Sequence, residues 1–127
     1  MRLLTPLARA RGDGSAHEGA HHWWMQRVSA AALVLLGAWF AWSVPYLVGA
    51  NHGEFVAWMA RPVNSLLLVL LVIAGFYHGW LGVRVVVEDY VHASVARMTT
   101  LAVCAGISWL AAAGAVLAVL RTGMGGA

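Results

Sequence analysis

Apolar residues do not alternate with polar ones along most of this chain. They run together in three blocks, at about 28–48, 63–87 and 98–120, each long enough to cross a hydrocarbon core that needs roughly 20 residues of helix. The blocks are apolar on all sides, as in a span surrounded by lipid. The connections, about 49–62 and 88–97, are short, so sequential helices should pack as antiparallel neighbours. The expected fold is therefore an all-α integral membrane protein with three transmembrane helices in an antiparallel bundle. An N-terminal arm at 1–20 precedes a membrane domain at 21–122, and a short tail covers 123–127.

Finer features fit this frame. Residues 1–19 show no sustained apolar periodicity and predict a loosely ordered arm. Trp23 and Trp24 open the first span as interface anchors, and Trp39, Trp42 and Tyr46 form an aromatic belt at its far end. Pro45 should kink or close the last turn of that span. In the following loop, 54–60 has the pattern of a short interfacial helix with Phe55, Val56 and Trp58 on its apolar side, while His52 reads as a solvated loop residue. Pro62 suits the first turn of the second span, where its missing N–H costs nothing. The third span carries small-residue pairs, Ala102/Gly106, Ser108/Ala112 and Ala111/Ala115, that favour close helix packing.

Composition narrows the function classes. Of 127 residues, 61% are hydrophobic and 10% charged, which excludes an ordinary soluble domain. The net charge of +3 does not imply nucleic acid, because the arginines sit at span ends as topology signals beside lipid headgroups. Arg2, Arg9, Arg11 and Arg27 precede the first span and Arg84 and Arg97 flank the second loop, against Arg61 and Arg121 on the other side. The positive-inside rule then puts the N-terminus in the cytoplasm and the C-terminus in the periplasm, with the first span inserted uncleaved. Cys104 is alone, so this chain holds no internal disulfide, thiolate zinc site or iron–sulfur cluster.

Candidate chemistry concentrates between Gly75 and His92. At about 100° per residue, with Gly75 at zero, His78 falls near −60°, Gly79 near +40°, Gly82 near −20° and Asp89 near −40°. One face thus carries the histidine, the glycines and, if the helix continues, the aspartate about 16 Å further along the axis. Glycines at this spacing admit another helix or a flat ligand, and an ionisable residue within a span is a functional candidate. His78 either ligates such a ligand or hydrogen-bonds a neighbouring helix. Arg27 and His21, at the inner end of the first span, either present cationic donors to an anionic group or snorkel to lipid phosphate. Arg84 lies on the opposite face, where it reaches headgroups or a peripheral partner, and His92 follows in the loop, in solvent or against a partner. No phosphate loop, nucleophile elbow or metalloprotease helix is present, which leaves redox or transport. A six-coordinate haem on His78 would need its second ligand from another chain.

The segments His21 to Arg27, Phe76-Tyr77-His78-Gly79-Trp80-Leu81-Gly82 and Glu88-Asp89-Tyr90-Val91 together resemble the hydrophobic membrane anchor subunit, the smaller of two, of succinate dehydrogenase. The resemblance covers about 15–120 and rests on the order and spacing of the motifs. It implies that His78 is an axial ligand of haem b, with the other ligand from the cytochrome b subunit, and that His21 and Arg27 lie near the haem propionates. It further implies that Tyr90 hydrogen-bonds a ubiquinone carbonyl, with Asp89 beside that pocket. The implied partners are the cytochrome b, iron–sulfur and flavoprotein subunits and membrane lipid, in a bacterial inner membrane; the isolated chain would not be catalytic. Two other readings compete: a small proton-coupled multidrug-type transporter using Glu88 or Asp89, and a haem-free structural anchor in which His78 is only hydrogen-bonded.

Overall fold

The computed structural model describes residues 16–125. Most of the arm at 1–20 and the last two tail residues lie outside that range. The order is α1 (Ala16–Gly49), α2 (His52–Met59), α3 (Pro62–Tyr90) and α4 (Ser94–Gly123), with no strand among the described residues. Three of these helices, α1, α3 and α4, are long and apolar enough to cross a membrane.

Each long helix overruns the apolar block that predicted it. The 34 residues of α1 span about 51 Å at 1.5 Å each, against a hydrocarbon core of about 30 Å. Its start at Ala16 places 16–19, expected in a loose arm, within the helix. Hydropathy marks the part of a helix that lipid surrounds, whereas Glu18, Met25, Gln26 and Arg27 are good helix formers that extend it beyond that part. Pro45 does not end the helix, which runs on to Gly49. Likewise α3 continues through Asp89 and Tyr90, and α4 takes in Gly123, the first residue of the expected tail.

Helix α3 is the centre of the bundle, packing against α1 on one side and α4 on the other, while α1 and α4 do not form a packed pair. The α1/α3 register is read directly from contacts. Ser29 meets His78, and four residues later Leu33 lies against Gly75, so α3 runs antiparallel to α1. The small-residue pairs of α4 divide. Ala112 is buried, whereas Ala102 and Gly106 face outward with open space beside the glycine.

The end of the bundle that holds α2 is a closed corner. Asn51 caps α2, its side chain accepting from the Glu54 N–H at 3.0 Å while the Glu54 carboxylate accepts from the Asn51 N–H at 2.8 Å. The last carbonyls of α2 are met from outside the helix: Asn64 donates to Trp58 O at 2.8 Å, which also receives the Arg61 N–H at 3.4 Å, and the Ser65 hydroxyl donates to Met59 O. Both donors come from the first turn of α3, which Pro62 opens as expected. Trp58, predicted to face the interface, is instead 7% exposed and stacked on Trp39 at 5.8 Å and 17°. Trp39 therefore leaves the outward belt, while Trp42 and Tyr46 remain on the exposed side of α1. Glycine at 123 is required by a close approach, since a Cβ there would stand 2.6 Å from Ser65 Oγ and 3.3 Å from Met59 O.

Two outcomes are expected. Trp58→Ala should destabilise the protein by about 2–4 kcal/mol through loss of a packed aromatic pair, and the more exposed Phe55→Ala by about 1 kcal/mol or less. Thermal melting in detergent, followed by circular dichroism, compares them, and equal shifts would count against the buried stack. By the same measurement Gly123→Val should cost about 1–3 kcal/mol by overpacking, and an unchanged midpoint would show that the corner yields freely.

Candidate functional site at the open end of the α1/α3 pair

The opposite end of the bundle gathers the start of α1 and the last turns of α3. Positions 22, 26, 29 and 33 of α1 recur at helical spacing, so His22, Gln26, Ser29 and Leu33 share the face that meets α3. His78 of α3 is partly buried at this contact, and its Nδ1 lies 3.0 Å from Ser29 Oγ. Ser29 is 7% exposed and donates its hydroxyl proton to the Gln26 carbonyl at 3.0 Å, one turn back on α1. Among the described residues His78 Nε2 has no hydrogen-bond partner.

The glycines of the predicted face serve different ends. Gly75 brings α3 close to α1, its would-be Cβ standing 3.9 Å from Leu33. Gly79 and Gly82 meet nothing within 4 Å and leave open space beside α3. A groove of about 400 Å³ runs past Gly82 and Val85 and is walled on α1 by His22, Trp23, Gln26 and Arg27. Gly82 and Val85 lie four and seven residues beyond His78, on the same side of the helix. A second groove, of about 540 Å³, opens on the other flank of α1 and is lined by His21, His22, Met25, Tyr77, Trp80, Leu81 and Arg84.

The two predicted cationic donors are therefore not brought together. Six residues turn a helix by about 240° net, and His21 and Arg27 line separate grooves. Arg27 stands over the Trp23 ring with its guanidinium carbon 4.2 Å from the centroid, a cation–π contact. Trp23 in turn stacks on Trp24 at 5.8 Å. The pair, exposed as interface anchors would be, is thus also the platform that holds Arg27.

At the end of α3, Asp89 and Tyr90 occupy the last turn, and the helix closes when Val91 N–H donates to Val87 O at 3.0 Å. Tyr90 is 79% exposed, and Asp89 is exposed with no ion pair among the described residues. Arg84, expected to reach headgroups or a partner, instead donates to Glu88 at 2.8 Å, one turn on. His92 is exposed in the turn between α3 and α4. Among the described residues no group of three or more His, Cys, Asp or Glu side chains could cage a metal ion.

Three residues of this site escaped the sequence reading: Ser29, His22 and Gln26. His22 Nε2 and Gln26 Oε1 are buried without a hydrogen-bond partner among the described residues, an unusual condition for buried polar atoms. The available signal was their shared spacing with Ser29. The apolar run begins only at 28, so hydropathy divides this face of α1 between the span and the segment before it.

Comparison with known proteins agrees with this architecture. The profile of the succinate dehydrogenase/fumarate reductase transmembrane subunit family matches residues 1–114. A succinate dehydrogenase hydrophobic membrane anchor subunit from Paracoccus denitrificans is 36% identical over 125 residues, covering 98% of this chain and 96% of its own. One from Rickettsia bellii is 34% identical over 121 residues, covering 92% and 94%. A succinate dehydrogenase membrane anchor subunit from Reclinomonas americana is 26% identical over 86 residues, covering 65% and 72%. With three apolar spans and a family match across most of its length, this chain belongs to the succinate dehydrogenase/fumarate reductase transmembrane subunit family.

Proposed function

We propose that this chain is the membrane anchor of a succinate:quinone oxidoreductase, sharing haem b with a cytochrome b subunit and forming part of the ubiquinone-reduction site. Flavoprotein and iron–sulfur subunits dock on the cytoplasmic side of a bacterial inner membrane, where the arginine distribution directs the start of α1 and the α3–α4 turn. The observation that carries this reading is His78. Its Nδ1 edge is engaged by Ser29 and its Nε2 has no partner among the described residues, on a helix where Gly79 and Gly82 leave open space.

These residues fit a haem by their donor chemistry. His78, an imidazole, would ligate haem iron through Nε2, and Arg27, on the groove past Gly82, would offer a guanidinium to a propionate. His21, on the other flank of α1, reaches a propionate only around that helix, so Arg27 carries more of this role. A haem held there would supply one-electron transfer. With one ligand from this chain, a six-coordinate haem would take its second from a partner.

At the end of α3 the exposed Tyr90 hydroxyl donates a hydrogen bond to a quinone carbonyl and stabilises negative charge developing on that oxygen. Asp89, in the same turn, tunes the tyrosine or supplies protons to the pocket. The transporter reading is weaker, because carboxylates that carry protons across a membrane lie deep in a span. Here both acids sit in the closing turn of α3, and Glu88 is tied to Arg84.

Two measurements test the proposal. In the complex purified in mild detergent with its natural partners, His78→Ala should abolish the b-type band of the reduced-minus-oxidised spectrum while flavin is retained. A band that survives would remove His78 as ligand, and a preparation with neither flavin nor haem would reject the anchor reading. Tyr90→Phe should slow quinone reduction by about 10-fold or more, the scale of losing one stabilising donor of about 1.4 kcal/mol or more. Succinate oxidation by artificial dyes and the haem band should persist, and unchanged quinone turnover would reject the role of Tyr90.

A further inference from the structure

We infer that Ser29 is a positioning residue for His78: it fixes the ring's tautomer and plane, so that Nε2 is the nitrogen presented to a metal. The inference rests on the haem reading above and extends it to a residue on the neighbouring helix. It begins with a proton count. The Ser29 hydroxyl has one proton and two contacts of 3.0 Å, to the Gln26 carbonyl, which can only accept, and to the ring, which can donate; the arrangement that satisfies both has the hydroxyl donating to the carbonyl. The contact of 3.0 Å between Ser29 Oγ and His78 Nδ1 then needs its proton from the ring. A neutral imidazole that carries its proton on Nδ1 has its lone pair on Nε2, the form in which histidine binds a metal.

The relay from Nδ1–H to hydroxyl to backbone carbonyl has two consequences. The carbonyl belongs to the α1 backbone, so the imidazole plane is tied to a helix and cannot swing with the side chain alone. The ring N–H also donates into an acceptor chain, which raises the electron density of the ligating nitrogen, as outer partners of metal-bound histidines do. A more electron-rich ligand favours the oxidised metal, so the relay should hold the haem potential down. Burial of Ser29 to 7% exposure keeps water from replacing the hydroxyl.

The test uses the intact complex with its partner subunits and reads the haem rather than turnover. Ser29→Ala should retain flavin and haem, shift the haem midpoint potential upward in a redox titration, and move or broaden the low-spin ferric signal in electron paramagnetic resonance. Ser29→Thr, which keeps the hydroxyl, should restore both signatures. Leu33→Ala removes packing from the same helix contact, one turn away against Gly75, and should leave both unchanged. If Ser29→Ala fails to assemble, the nearly isosteric Ser29→Cys should give a smaller shift in the same direction. Wild-type potential and resonance signal in Ser29→Ala, or in an assembled Ser29→Cys, would overturn the inference while leaving the haem reading intact. An equal shift in Leu33→Ala would overturn it too, since packing would then explain the effect. A wild-type complex that holds flavin but no haem would instead overturn the haem reading, and this inference with it.

Discussion

Hydrocarbon offers no hydrogen bonds, so an imidazole placed within a span has to be answered by a neighbouring helix, and here Ser29 answers His78. Much of the α1/α3 arrangement follows from that one contact. Rotating α1 by a single residue would carry Ser29 about 100° away and leave His78 Nδ1 without a partner. With Ser29 in place, Leu33 falls against Gly75 one turn toward the closed corner. In the other direction Gln26 and Arg27 come to face Gly82 and Val85 across the groove. A polar pair at one point thus sets the register of a contact that apolar residues alone would leave free to slide.

The two ends of the bundle are built on opposite terms. At the α2 corner, the last backbone carbonyls of α2 receive Asn64 and Ser65, Trp58 is stacked on Trp39, and glycine at 123 lets α4 close in. At the other end His22 Nε2 and Gln26 Oε1 are buried without partners among the described residues, and Tyr90 stands almost fully exposed. Buried polar atoms without partners cost about 1–3 kcal/mol each. The corner is finished within this chain, whereas the open end keeps hydrogen-bonding capacity that groups from outside the chain can use.

The spans and their antiparallel order were legible because lipid imposes a length and an apolar content on any helix that crosses it, and those survive in the sequence as runs. The glycine face around His78 was equally legible, since helical periodicity fixes angles within one helix. Contacts between helices were not. Trp58 looks like an interface residue until α2 folds back on Trp39, and His21 and Arg27 look like a pair until α1 extends through both as one helix and sends them to different flanks. Ser29 is illegible for a related reason. A serine at the edge of an apolar run carries no signal by itself, and its meaning lies 49 residues away in sequence, at His78.

Arg27 and Arg84 both stand at the open end, and their surroundings separate their roles. Arg84 has Glu88 at 2.8 Å, an acid of the same helix that occupies its Nε–H. Arg27 is held by the face of Trp23, a contact that orients the guanidinium without neutralising it. An indole accepts no N–H hydrogen bond in the guanidinium plane as a carboxylate does, so N–H donors stay available to match a carboxylate in two parallel hydrogen bonds. An acidic partner in place of the indole would occupy the same donors and close the groove to an anion. On the proposed reading, the stacked tryptophans that a hydropathy profile would count as lipid anchors are also what keeps this arginine ready for a haem propionate.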